Sequence, residues 1–288
     1  MTASIVNMLN NNSRIRFSII IPFRPKAESI DWDRESRLLS QTITSVLRQT
    51  YSAFKVFVLY TDRPSELIEH EKIAYVEFPG GHQPYEAIPI KDELFRKFKS
   101  EKMVVRRWDK ARKLTYGCKL AKEEGYHYIM ALDADDLLSK HFFSNLSSDS
   151  DNGKSPGWYM HKGYIYKPGT SYLMLVPKLM RFLNGSTHVL RADLVQIPDF
   201  SSTNWLDYSL FTDHGWIKDR VKKYMDIDLA PIMKPMLIYV VHGSNISKVD
   251  KKEYGFSFKN IVKRVLRARI LSNSRKEEFN ITRSEKFQ

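Results

Sequence analysis

Between residues 16 and 136 the chain alternates short β-branched runs with amphipathic helical patterns, an order that few architectures accept. "RFSIIIPF" (residues 16–23) is a continuous apolar run stopped by Pro22 and Pro25, the pattern of a strand buried on both faces. "LLSQTITSVLRQT" then sets Leu39, Ile43, Val46 and Leu47 on one helical face. "FKVFVLYTD" (54–62) is a second strand that ends in an acidic residue, and residues 73–78 are a third, closed by Gly80 and Gly81. From Asp109, "DKARKLTYGCKLAKEEG" predicts a helix with Asp109 as its cap, a stripe of Ala111, Leu114, Cys118 and Ala121, and Gly125 just past its end. It leads directly into "YHYIMALDADDLLS" (126–139). This order predicts an α/β fold with a mostly parallel sheet and helices on both faces. Such sheets bind ligands beyond the carboxyl ends of their strands.

Asp133, Asp135 and Asp136 crowd three like charges into four positions at one of those ends. Carboxylates this close repel one another unless a cation or a set of donors holds them. In an extended stretch, side chains two apart face the same way, so Asp133 and Asp135 can address one ligand. Hard divalent cations such as Mn²⁺ or Mg²⁺ take carboxylate oxygens and share their coordination with substrate phosphates. The same aspartates could instead cap a helix starting near Leu137. Pro22, Phe23, Arg24 and Asp62 also fall at predicted carboxyl ends, which gathers them on the same edge of the sheet.

At 288 residues with 42% hydrophobic side chains the chain has enough apolar surface for a core, and its composition excludes a disordered protein. No run approaches the ~20 apolar residues of a membrane span, and "MTASIVNMLNNNSRIR" lacks the basic-then-apolar order of a secretion signal. A cytoplasmic protein is expected, and the single cysteine, Cys118, cannot form an internal disulfide. The net charge of +13 is uneven: residues 251–288 hold eleven Lys and Arg against four Glu, about half of the excess. Within them "FSFKNIVKRVLRARIL" (256–271) reads as a basic amphipathic helix. It would dock on its own domain or attach to an anionic membrane surface, peripherally at the inner face of the membrane. The chain shows no zinc-ligand spacing and no aromatic RNA-binding signature, so no nucleic-acid partner is expected.

"FSIIIPF", "SVLRQTYSAFKVFVLYTD" and "DKARKLTYGCKLAKEEGYHYIMALDADDLLSKHF", taken in order, resemble the family-2 glycosyltransferases of the GT-A fold over roughly residues 16–143. Gln49-Thr50-Tyr51 stands at the family's turn, and Asp133-Ala134-Asp135-Asp136 at its D-x-D-D motif. The resemblance implies that Pro22, Phe23, Arg24 and Asp62 surround the base of a nucleotide. It implies that Asp133 contacts the ribose or the water shell of the metal, and that Asp135 ligates Mn²⁺ or Mg²⁺. Arg112 and Lys113 lie where the family commonly places a basic donor-site residue. The chain departs from the family in "PFRPKAESIDWDRESR" and "LYTDRP", which replace its usual short loop and Asp-Asp-Gly-Ser.

After the polar break at 147–157, "WYMHKGYIY", "SYLMLV" and "STHVLRADLV" read as further strands. By the same resemblance Asp213, in "LFTDHGW", stands near the family's catalytic base, although it would also suit a helix cap before residues 216–223. His242, after the run "LIYVVH", stands where GT-A enzymes often return a histidine to the metal. The expected division is an N-terminal extension (1–15), a nucleotide-sugar half (16–143), an acceptor half (144–250) and a basic tail (251–288). The expected activity is metal-dependent, inverting transfer from a UDP, dTDP or GDP sugar to a glycan or lipid-linked acceptor. Trp158, Trp205 and Trp216 would suit a glycan. A nucleotidyltransferase is the competing enzyme, but "PFRPKAES" lacks the Gly-rich loop such enzymes carry after their first strand. A GT-A scaffold that binds glycan or membrane without turnover is the other alternative.

Overall fold

A computed structural model describes residues 14–202, 204–242, 262 and 265–281. The first half is built on strands β1 (Phe17–Pro22), β2 (Phe54–Tyr60), β3 (Ile73–Glu77) and β4 (Tyr128–Ala131). Its helices are α1 (Trp32–Leu47), α2 (Lys91–Phe98) and α3 (Glu101–Glu123). The second half adds β5 (Asp136–Leu138), α4 (Phe142–Ser148), β6 (Gly157–Met160), β7 (Gly163–Tyr166), β8 (Tyr172–Val176), α5 (Met180–Leu183) and β9 (His188–Arg191). Then come α6 (Ser209–Thr212), α7 (Ile217–Met225), β10 (Ala230–Ile232), β11 (Leu237–Val240), β12 (Ala268–Ile270) and α8 (Asn273–Phe279).

Seven strands form the main sheet in the order β10-β6-β9-β4-β1-β2-β3. Strands β3, β2, β1 and β4 run parallel, and β9 joins β4 antiparallel. The parity of β1 explains its unbroken apolar run. Phe17, Ile19 and Ile21 pack with Leu39, Ile43 and Val46 of α1, whereas Ile20 packs with Ala111, Leu114 and Cys118 of α3. Both faces are therefore buried under helices, as the alternation predicts, and the architecture is the expected mixed α/β one. Cys118 is buried, and its packing raises the thiol far above its ordinary range.

The helix expected from Asp109 begins a full two turns earlier, at Glu101, where Ser100 accepts a hydrogen bond from the Met103 amide. Asp109 does not cap it. It lies in the helix interior, and its carboxylate receives Lys113 at 3.0 Å, one turn on. The alternative role of the acidic run, capping a helix near Leu137, is also excluded: Asp136–Leu138 is a strand, and α4 starts only at Phe142.

A second sheet, ordered β12-β8-β7-β11-β5, grows out of the acidic run. "WYMHKGYIY" splits at His161 and Lys162, sending β6 to the first sheet and β7 to the second. Strand β11 runs antiparallel to β5, with Tyr239 opposite Asp136, and this carries His242 back to the acidic motif. Gln49 ties the other side: its side-chain amide donates to the Ser139 carbonyl at 2.7 Å and accepts from the Phe143 amide at 3.0 Å.

The expected tail helix is altered where it is described. Residues 265–267 are helical, but Ala268–Ile270 forms an edge strand on β8 in place of the helix's end, since an open edge offers ladder hydrogen bonds to the chain. Helix α8 then packs back, with Phe279 buried and Ser139 donating to Glu278 at 2.7 Å. Residues 256–261, 263 and 264 of that expected helix, like most of 1–15, lie outside the described residues. Among the described residues no helix is long and apolar enough to cross a membrane.

Candidate functional site

A cleft of about 350 Å³ opens beyond the carboxyl ends of β1 and β4, where strand order reverses across the sheet. Pro22, Phe23 and Arg24 line one wall, and Asp133, Ala134 and Asp135 the floor. Met103, Arg106, Arg107 and Lys110 of α3 supply a second wall, and His242 closes the side nearest Asp135. Leu183, Asn184, Gly185 and His214 come from the second half of the chain.

The three aspartates have three different environments. Asp135 meets His242, with Oδ2 2.7 Å from Nε2. Asp133 is paired with Lys110, and its amide donates to Ser186 Oγ at 2.7 Å. Burial alone would raise the Asp133 carboxyl, but Lys110 outweighs it, aided by Arg107, and holds the group below its ordinary range. Asp136 is fully buried and turns away from the cleft to accept hydrogen bonds from Asn184, at 2.7 Å, and from Ser186. Burial, reinforced by the Asp135 and Asp133 charges, pushes it well above the carboxylate range. Asp136 is thus a buried acid, biased toward its neutral form, that fastens the loop before β9.

That assignment has a measurable sign. An acid whose pKa is raised on folding lends stability that is fully present below its unfolded pKa of about 4 and is lost as pH rises through the folded value. Asp136→Asn keeps a neutral side chain of the same shape and should show a higher melting temperature than the wild type at pH 8, with the gap closing toward pH 4. Asp136→Ala leaves Asn184 and Ser186 without their acceptor and should cost about 2 to 3 kcal/mol. Equal stability of the Asn variant and the wild type across that range would remove the buried-acid assignment.

The two basic residues inferred from the resemblance do not line the cleft. Lys113 is fully buried, donating to the Phe23 carbonyl at 2.8 Å and pairing with Asp109. Arg112 packs over the rings of Phe78 and Trp108. The cleft instead receives Met103, Arg106, Arg107 and Lys110, whose spacing of three, four and seven makes one helical face. Arg106 is matched by Glu28 at 3.4 Å, and Arg24 by Glu35. Arg107 meets His214 Nδ1 at 3.2 Å, and its buried Nε has no partner among the described residues. Burial, with Lys110 and Arg107 alongside, lowers His214 to about 3, so its ring is neutral.

Asp62 does not line the cleft either. Its carboxylate accepts the Lys26 amide at 2.8 Å and so shapes the loop that carries Arg24. Asp213 also sits outside the lining, one residue before His214, with Lys97 3.5 Å from its carboxylate. Gly185 stands against the Lys110–Asp133 pair: a Cβ there would lie 2.6 Å from Lys110 Nζ and 2.8 Å from Asp133 Oδ2. The helical face of α3 was readable as spacing once the helix start was known.

The donor set fits a divalent cation. A carboxylate oxygen and an imidazole nitrogen, donor types that such a cation accepts, meet at 2.7 Å in the cleft. Among the described residues no group of three or more His, Cys, Asp or Glu is arranged to hold a metal, so the remaining positions would fall to a ligand's oxygens and water.

No protein-family model matches the sequence, and no curated protein matches it. Among solved structures, residues 1–349 of S. aureus TarS align with a TM-score of 0.45 and 11% identity, covering 93% of this chain and 76% of that one. The complex of the same TarS fragment with UDP-GlcNAc aligns with a TM-score of 0.42 and 12% identity, over 95% of this chain and 75% of that chain.

Proposed function

We propose that this chain is a GT-A-type glycosyltransferase that moves a sugar from a nucleoside-diphosphate sugar to an acceptor hydroxyl with inversion, assisted by Mn²⁺ or Mg²⁺. The observation that carries this reading is the Asp135–His242 pair facing the cationic wall of α3 across one cleft at the sheet's carboxyl edge. That combination suits a diphosphate. Its oxygens would meet Arg107 and Lys110 on one side and an ion held by Asp135 and His242 on the other. The base would lie against Pro22, Phe23 and Arg24, on the loop that Asp62 and Lys113 hold in place. When bound, the cation supplies Lewis-acid stabilisation to the leaving diphosphate. Arg107 and Lys110 add fixed positive charge at the same developing anion. Asp213 would accept the proton of the attacking hydroxyl, and attack from the face opposite the leaving group gives inversion.

A thermal-shift screen of UDP, dTDP, GDP and CDP, each with Mn²⁺ or with EDTA, tests the reading. One nucleotide should raise the melting temperature, and more so with metal. A chain that responds to none of them is not a nucleotide-sugar enzyme. Lys110→Ala removes a charged donor from the cleft and frees Asp133, so the apparent donor affinity should fall by about tenfold. Titration of the preferred nucleotide measures this, and an unchanged affinity would assign Lys110 to Asp133 alone.

A further inference from the structure

Phe182 and Trp216 stand beside the cleft as an exposed aromatic pair that the core does not use. Their rings meet edge to face at 5.7 Å, with 41% of Phe182 and 51% of Trp216 exposed. Exposed apolar side chains that adjoin one another mark a binding surface, whereas singly scattered ones need no explanation. The pair is also built into place. Gly215 has no side chain where a Cβ would lie 2.7 Å from Phe182, which lets that ring rest on the turn carrying Trp216. Arg181 locks the turn from the other side, donating to the Gly215 carbonyl and to Asp219, each at 2.6 Å, with its guanidinium 4.2 Å from the Phe182 ring centre.

We propose that this ledge is the acceptor subsite, and that its occupant is a sugar ring of a glycan stacked on Trp216, with Phe182 standing edge to face against that indole. The inference rests on the glycosyltransferase reading and adds the class of acceptor. Phe182 itself lines the cleft alongside Gly185 and His214, so a ring on the ledge would bring its neighbour toward the reacting centre. The chemistry of the surface is matched to a sugar, which presents a flat C–H face and a rim of hydroxyls. The exposed Trp216 ring offers the apolar face, and Phe182 braces it. The partly exposed carboxylate of Asp219 offers a charged acceptor at its edge, with the mostly buried Arg181 charge behind it. An acyl chain would gain nothing from those charges and would have to desolvate them. Of the three tryptophans that suggested a glycan in the sequence, Trp158 is buried in the core, and Trp216 alone is described as exposed.

The test uses the full chain and defined trisaccharides: cellotriose, chitotriose and maltotriose. Saturation transfer from protein to sugar C–H protons reports stacking, and the nucleotide-induced thermal shift, read in parallel, reports the donor site. At least one trisaccharide should bind the wild type, and Trp216→Ala should weaken it tenfold or more. Trp216→Phe should restore binding to within about threefold, and Gly215→Ala should weaken it although every aromatic remains. The inference is overturned if the chain binds nucleotide but none of the sugars, or if Trp216→Ala binds sugar as the wild type does. It is equally overturned if the ledge inserts into phosphatidylglycerol vesicles, seen as a Trp216-dependent blue shift, without binding sugar. A chain that stacks sugar through Trp216 yet ignores every nucleotide would keep the ledge and lose the donor reading.

Discussion

Asp135→Asn is expected to lower turnover roughly 10³-fold and to abolish the metal-dependent part of nucleotide binding. The substitution keeps the size of the side chain and removes its charge. Asp136 is buried away from the cleft, Asp133 remains committed to Lys110, and Glu35, the cleft carboxylate that feels both Asp135 and His242, is committed to Arg24. The variant would keep a polar side chain beside His242 but remove the negative charge from that point of the cleft. Replacement of His242 by alanine should cost less than the loss of the aspartate, because a neutral imidazole adds no charge to the ion's field. The measurement is the nucleotide-induced melting shift in Mn²⁺ and in EDTA, followed by turnover at saturating donor. In the variant the two shifts should coincide. If wild-type binding is already the same in Mn²⁺ and EDTA, the Asp135–His242 contact is an ordinary hydrogen bond and the metal has no part in the site.

How much of this was legible in the sequence follows from the range of the interactions involved. Strand parity, the buried β1 run and the gathering of Pro22, Asp133 and Asp135 on one edge are consequences of local pattern and sheet direction, and the structure contains them. The meeting of Asp135 with His242 was anticipated only through the family resemblance, since 107 residues separate them and a strand of a second sheet performs the return. The basic wall was misplaced for a local reason. Asp109 looks like an N-cap, and starting the helix there hides the face formed by Met103, Arg106, Arg107 and Lys110. The resemblance pointed to Arg112 and Lys113 instead, and burial claims both. Asp136 could not be separated from its two neighbours by sequence, because its raised pKa comes from complete exclusion from water beside the Asp135 and Asp133 charges, against the lowering effect of the Ser186 and Asn184 hydrogen bonds. The end of the tail failed as a helix because the edge of β8 competes for residues 268–270, and periodicity contains no information about an open edge.

Asp213→Asn is expected to lower turnover by about 10² to 10³-fold while leaving nucleotide binding intact. The competing role for Asp213, capping the helix that follows, is not realised. Its backbone is extended, and its carboxylate makes no capping hydrogen bond; only its carbonyl serves the turn, accepting from the Trp216 amide at 3.2 Å. Arg220 donates to that same carbonyl at 3.2 Å. The carboxylate is therefore left to face cations. Lys97 approaches to 3.5 Å, and Arg107, which reaches into the cleft, feels the charges of both Asp213 and Asp133. Burial lowers the Lys97 ammonium, with Asp213 opposing the change, so the pair is an ion pair that an incoming acceptor could open by competing for the carboxylate. Lys97→Ala separates the two functions. If Asp213 is the base, this variant should retain most activity, whereas a merely structural ion pair would make Lys97→Ala and Asp213→Asn equally damaging. Acceptor-independent hydrolysis of the donor gives the second discriminator. Water attack is expected to suffer along with transfer, since both nucleophiles must surrender a proton. A loss below tenfold in both reactions would return Asp213 to the role of an anchor for Lys97 and leave the base to be sought among the carboxylates that line the cleft.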